Sequence, residues 1–409
     1  MEISDKAEKL CESQFEKIRK TEEFNQQKVL KAFIDSGVSE SHFGITTGYG
    51  YGDRGRDKLD EVFAKIFGAE DALVRANFVS GTHALTTSLF GVLRPNDKML
   101  SLTGKLYDTM MGVVDSKSED FGSLKDFGIG FDYVDYNENK EEYYKLISEK
   151  LSEKFKLIYI QRSRGYTLRK SLSVSEIKEI IDFVKSISPD AIIMVDNCYG
   201  EFVEKSEPSE VGADIAVGSL IKNPGGGIAP TGGYILGRKK YVDMCSYRLT
   251  APGIGKEVGA TLGVNRELFM GIFSAPHVVA EALKTAVYTS ALFELMGFEV
   301  YPKCKDIRCD IVESLILGSG DALKAFCSGI QSGSAVDSFV TPEPWDMPGY
   351  DSRVIMAAGT FIGGSSIELS ADGPMKDPYP VWVQGGTNFY AAKIGILKAA
   401  EKVLSLANQ

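Results

Sequence analysis

From about residue 70 to 240, short apolar runs alternate with helical stretches, and this alternation restricts the fold more than any other feature of the chain. DALVRA, KMLSL, KLIYIQ, AIIMVD, DIAVGS and TGGYILG each have strand length, with helical patterns opening at Gly81 and spanning 174–187. Strands covered on both faces read as such near-continuous apolar runs, and an intervening helix returns the chain to begin the next strand in the same direction. An α/β architecture with a mainly parallel sheet covered by helices follows. At 409 residues, 44% of them hydrophobic, the chain can bury a sizeable core and suits two or three structural units.

The flanks read differently. From Asp5 to about Asp35, Ala7, Leu10, Phe15, Ile18, Phe24, Val29, Leu30, Ala32 and Phe33 recur near helical spacing among many charges, the pattern of an amphipathic N-terminal arm. The arm runs into a glycine- and tyrosine-rich loop, Phe43 to Arg56 (FGITTGYGYGDRGR), whose backbone freedom suits a segment shaped by contact with something else. A helix over 57–67 then starts the main body. From about 275 a long helical pattern precedes strand-like runs FEVYP, AVDSFV, SRVIMAAG and SSIELSA, and 387–406 is helical again. The expected division is an arm and loop over 1–60, a large domain over 61–275 and a smaller α+β domain over 276–409.

Charge narrows the partners. With 46 basic against 56 acidic residues the net charge is -10, so the molecule repels nucleic-acid phosphate and anionic membranes, and a small-molecule substrate fits better. The charged first twenty residues and the absence of a long uncharged apolar stretch lead us to expect a cytoplasmic protein. The six cysteines are too scattered for a disulfide framework, and Cys304 and Cys309 lack the spacing and the second half of a zinc site, so no metal is expected. GYGYGDRG has no preceding apolar strand, which sets aside a dinucleotide fingerprint.

The chemistry concentrates where apolar strands end in polar residues. VDNCYGEFVE (195–204) and GADIAVGSLIKNPGG (212–226) both do this, and ligands sit at the strand ends of parallel sheets. Pyridoxal phosphate (PLP) needs a lysine amine to bond its aldehyde carbon and a carboxylate to keep its pyridine nitrogen protonated. Lys222 and Asp196 supply that pair. Ser219 can offer its hydroxyl to a phosphate, and Ser80, Gly81 and Thr82 stand between a strand and a helix start, where backbone N–H groups receive phosphate well. Tyr107, after the next strand, is the candidate to stack on the ring, and His83 is a second candidate that serves equally as a packing residue.

Taken together, SGTHA, YDT, VDNCYGEF and GSLIKNPGGG resemble the Cys/Met-metabolism branch of PLP enzymes. More narrowly, the chain looks like the methionine gamma-lyase-like family often labelled aluminium resistance protein. The likeness runs from about residue 40 to the C-terminus and includes RLTAPGIGKEVGA, APHVVAEALK, IMAAGTFIGGSSIELSADGP and VQGGTNF. It implies the fold-type-I PLP-dependent transferase fold, homotetramers built from dimers with shared active sites, and carbon–sulfur lyase activity by β- or γ-elimination on cystathionine, cysteine or methionine-like substrates. An aldolase or aminotransferase, and a PLP-binding stress protein with little turnover, are the competing readings. The resemblance also implies that a tyrosine and an arginine of the N-terminal loop reach a partner's phosphate: Tyr51 and Arg56 match, with Tyr49 and Arg54 competing. The substrate carboxylate calls for the planar fork of an arginine, for which Arg162, Arg164 and Arg353 are the candidates.

Overall fold

The computed structural model describes residues 2–115, 121–347 and 352–407. Seven strands form the large sheet: β1 (Asp71–Arg75), β2 (Lys98–Ser101), β3 (Gly130–Tyr133), β4 (Leu157–Gln161), β5 (Ile192–Asp196), β6 (Ile215–Ser219) and β7 (Gly233–Gly237). Their order is β1-β7-β6-β5-β4-β2-β3. β3, β2, β4, β5 and β6 pair in parallel, whereas β7 runs against both β6 and β1. The reversal has a local cause. No crossover helix separates β6 from β7, so the chain turns back directly and Ser219 pairs with Gly233 across the turn. Lys222 stands in that turn.

A second, antiparallel sheet has the order β10-β11-β12-β9-β8 and comprises β8 (Glu299–Tyr301), β9 (Val312–Ile316), β10 (Val354–Ala357), β11 (Ser370–Pro374) and β12 (Pro380–Gln384). The helices are α1 (Glu2–Asp35), α2 (Arg54–Ile66), α3 (Gly81–Val92), α4 (Asp108–Val114), α5 (Lys140–Lys150), α6 (Val174–Ile187), α7 (Lys239–Leu249), α8 (Asn265–Leu295), α9 (Gly320–Ser332) and α10 (Phe389–Ala407). α6 shows why they form where they do. Ser173 and Glu176 close a capping box at its start, and Val174, Ile177, Ile180, Ile181 and Val184 bury one stripe against the sheet.

The arm is the single helix α1. It lies along α8, and its buried Asn25 donates to the Phe202 and Glu204 carbonyls at 2.9 and 3.0 Å. The boundary expected at 275/276 falls inside α8, which continues through Pro276. Two expected strands are corrected. AVDSFV forms a turn in which Asp337 takes φ +51°, and SSIELSA enters the sheet only at Ser370. Before that point the Glu368 carboxylate accepts the Phe361 and Ile362 N–H groups, which ties 361–368 into a loop. All six cysteines are buried as free thiols.

Candidate active site

The parallel strands β4, β5 and β6 end on one edge of the large sheet, and the loops leaving them enclose a cavity of about 520 Å³. Asp196 comes from the end of β5, Ser219 from the end of β6 with Lys222 beyond it, Gln161 from the end of β4 with Arg164 beyond it, and Tyr107 from the start of α4. β1 leads to Ser80, Gly81 and Thr82 at the start of α3. Ser80 caps that helix by accepting the His83 N–H at 3.1 Å. Gly81 lets the helix start pack closely: a Cβ there would come within 3.1 Å of Ser219 Cβ, tighter than ordinary contact. The N–H groups of this first turn and the Ser219 side chain thus converge on one side of the cavity, an arrangement that suits an anion.

Asp196 is 4% exposed, accepting the Cys198 N–H at 3.1 Å and the Tyr159 hydroxyl at 3.2 Å. Burial pushes its carboxyl upward, opposed by Lys222 and these hydrogen bonds. The Lys222 ammonium lies 3.9 Å from the centre of the Tyr199 ring. Burial presses it toward the neutral amine, yet the Cys198, Tyr199, Tyr107 and Asp196 groups around it hold it, on balance, well above its ordinary value. The Tyr107 hydroxyl sits 3.4 Å from Thr82 Oγ1, and burial raises it far enough to keep its proton.

The remaining candidates separate by what holds them. Arg164 lines the cavity, with Nη1 donating to the Tyr301 carbonyl at 2.9 Å and its buried Nε unpartnered. Arg162 lies outside the lining. Fully buried, it donates to Asn197 and Glu204 at 2.8 Å and lies 3.6 Å from Glu207, so its charge is spent on the β5 loop. Arg353 bonds the Pro344 carbonyl beside β10, away from the cavity. His83 also turns away: its Nδ1 accepts the Val79 N–H at 3.2 Å and its ring meets Phe78 edge-on. Arg56 is 2% exposed and donates to the Gly50 and Gly259 carbonyls, pinning the glycine-rich loop from within. Tyr49, Tyr51 and Arg54 remain exposed on that loop.

The methionine gamma-lyase family model matches residues 1–404. The chain belongs to the methionine gamma-lyase family. It is 49% identical over 388 residues to the uncharacterized protein YnbB of Bacillus subtilis, a match covering 95% of this chain and 92% of that one. A structure from Listeria monocytogenes, described as a candidate cystathionine beta-lyase involved in aluminium resistance, superposes with a TM-score of 0.95 at 49% identity, covering 98% of this chain and 99% of that one. A carbon-sulfur lyase involved in aluminium resistance from Clostridium novyi gives 0.93 at 51%, covering 98% and 95%. The fold is that of the fold-type-I PLP-dependent enzymes.

This member of the methionine gamma-lyase family carries site residues that motif reading missed. Tyr199 adopts φ +72°, unusual for a side chain of its size, and so brings its ring beneath Lys222. Its one sequence signal is its place directly before Gly200 in the loop after β5. Arg169, Tyr166 and Trp382 also line the cavity, as do Asp372 and Gln384, which stand within the runs IMAAGTFIGGSSIELSADGP and VQGGTNF but carry no chemical signal there.

Beneath the site, Glu201 is wholly buried and accepts the Tyr234 hydroxyl at 2.7 Å, while its other oxygen has no partner. Burial pushes it up to about 8 from an ordinary 4.5, against the Tyr234 bond. A carboxyl raised in this way gives stability that is full below its ordinary value and is lost as pH rises through the folded one. Glu201→Gln, which cannot ionise, should therefore melt at or below the wild type near about pH 5 and gain on it by a few °C, in order of magnitude, toward about pH 9. Thermal melts across that range check this, and parallel profiles would contradict it.

Proposed function

We propose that this chain is a PLP-dependent carbon–sulfur lyase acting on a sulfur amino acid. The observation that carries the reading is the meeting, in one cavity, of a half-buried lysine, a buried carboxylate and a helix start shaped to receive a phosphate. These groups fit PLP. Ser80, Gly81, Thr82 and Ser219 would receive its phosphate, Asp196 would face the pyridine nitrogen, Tyr107 would lie against the ring, and Lys222 would anchor the aldehyde carbon. When bound, the cofactor supplies an electron sink for charge developing at the substrate's Cα.

The protein's own groups then divide the proton work. Lys222, freed by the incoming amine, is placed to take the Cα proton. Tyr107 holds its proton and is placed to give it to the departing sulfur. Asp196, as a carboxylate, would keep the ring nitrogen protonated. Cleavage of the carbon–sulfur bond followed by hydrolysis releases a thiol, ammonia and a keto acid, with one water consumed. The test is keto-acid and thiol release from cystathionine, cysteine and methionine by PLP-loaded protein; no release from any of them would overturn the reading.

Arg164 is the proposed partner of the substrate carboxylate, because it alone of the three arginine candidates lines the cavity and keeps a buried Nε unpaired. Arg164→Gln is expected to raise KM by roughly 10-fold to 100-fold, as loss of a charge-assisted hydrogen bond does, while Arg353→Ala changes KM by less than about twofold. Steady-state kinetics separate the two; equal effects would contradict the assignment. The exposed Tyr49, Tyr51 and Arg54 support a homo-oligomer in which this loop reaches a partner's cofactor phosphate, with Tyr51 and Arg54 the proposed pair. Six free thiols suit the reducing cytoplasm.

A further inference from the structure

The small sheet turns one face toward the cavity. β11 and β12 pair with Asp372 opposite Trp382 and Ser370 opposite Gln384, so these four side chains project from the same face. Their neighbours Ala371, Val381 and Val383 project from the other face into the hydrophobic core. A strand position that needed only to pack would take an apolar residue, as those neighbours do. Asp372 is a carboxylic acid, 9% exposed, whose Oδ1 has no hydrogen-bond partner and whose Oδ2 accepts only a long 3.4 Å bond from Gln384 in addition to support from the Tyr166 hydroxyl. Among the described residues it forms no ion pair within 4 Å, and Lys222, in the same cavity, is the cation that pulls its burial-raised carboxyl back down. Leaving a buried carboxylate without a cation is unfavourable, and such groups are found paired. Beside it the Trp382 Nε1 is also unpartnered, and the Tyr166 ring lies 4.8 Å from the Trp382 ring. An aromatic pair beside a carboxylate that no ion pair neutralises is an arrangement that holds an organic ammonium.

We propose that Asp372, Trp382 and Tyr166 form a cation subsite that selects amino-acid substrates bearing a second ammonium group. The inference rests on the amino-acid lyase reading and adds the chemistry of the substrate's far end. Arg164, in the same cavity, answers a carboxylate, and Asp372 answers a cation. A thioether whose far end is an uncharged methyl leaves Asp372 buried and unpaired, and a polar site left without its partner is a strong means of rejection.

Calorimetric titration of the PLP-loaded protein, slightly above neutral pH, compares ligands that differ in this group and carry no sulfur: L-lysine and L-ornithine against L-norleucine and L-norvaline. The wild type is expected to bind the diamino acids roughly tenfold more tightly or better, the effect of one hydrogen-bonded charge. Asp372→Asn is expected to bring the two classes within about twofold, with its borohydride-fixed adduct on Lys222 unchanged. Equal affinities in the wild type, or no binding of either class, would overturn the proposal without recourse to any variant. So would a preference that survives in Asp372→Asn. Absence of keto acid from every sulfur amino acid, with the diamino preference intact, would instead count against the lyase reading alone.

Discussion

Lys222→Ala is expected to lower keto-acid release by roughly 10³-fold, the scale of removing a positioned proton-transfer group, and to abolish covalent fixation of PLP by borohydride. The two losses have one cause. The same amine that would anchor the cofactor is the group best placed to move the Cα proton, at the turn where β6 reverses into β7. Its removal takes away a cation that Cys198, Tyr199, Tyr107 and Asp196 favour, on balance, over the cost of its burial. The variant should therefore melt at or somewhat below the wild type and still bind PLP without a covalent bond. Recovery of part of the rate by a small exogenous amine would mark the loss as chemical. Turnover within about tenfold of the wild type would contradict the assignment of Lys222 as the proton carrier.

Asp196→Asn should separate activity from stability more sharply. The carboxylate is expected to hold the pyridine nitrogen in its protonated form, and its neutral isostere should reduce turnover by roughly 10² to 10³, as loss of one preorganised electrostatic contact does. The fold can accept the change. The substituted side chain's carbonyl oxygen would still accept the Cys198 N–H, and its amide could donate to the Tyr159 hydroxyl that now donates to the carboxylate. Because burial raises Asp196 in the folded protein, its stabilising contribution is full below the ordinary 3.8 and is lost as pH rises through the folded value. Above neutrality the substitution should thus leave the melting temperature unchanged or higher. Kinetics and melts on one preparation decide the matter, and a variant that keeps its rate but loses stability would reverse the argument.

The parts of the fold legible from sequence were those where one local pattern had one physical outcome. AIIMVD and the IAVGS of the next strand lie between two helix layers, so no polar residue interrupts them before Asp196 and Ser219, and their ends announce the site. AVDSFV has the same apolar character but no partner strand, and Asp337 bends it into a turn. Among the arginines, composition offered nothing to choose by. Arg162 and Arg164 are two residues apart, and what separates them is Glu204 and Glu207, carried in from the loop after β5 to pair with the first. Asp372 and Trp382 were invisible for a related reason, since only the antiparallel register of β11 and β12 sets them side by side facing the cavity. His83 met every local requirement for a ring-facing residue, but its Nδ1 was taken by the Val79 N–H.

The most direct test of the central claim is an absorbance spectrum of the purified protein with PLP, recorded through the near-ultraviolet and visible before and after borohydride, with peptide mapping of the reduced product. A visible band lost on reduction, with the pyridoxyl group recovered on Lys222 alone, is the predicted result. No band with PLP in excess, or an adduct on another lysine, would contradict the account.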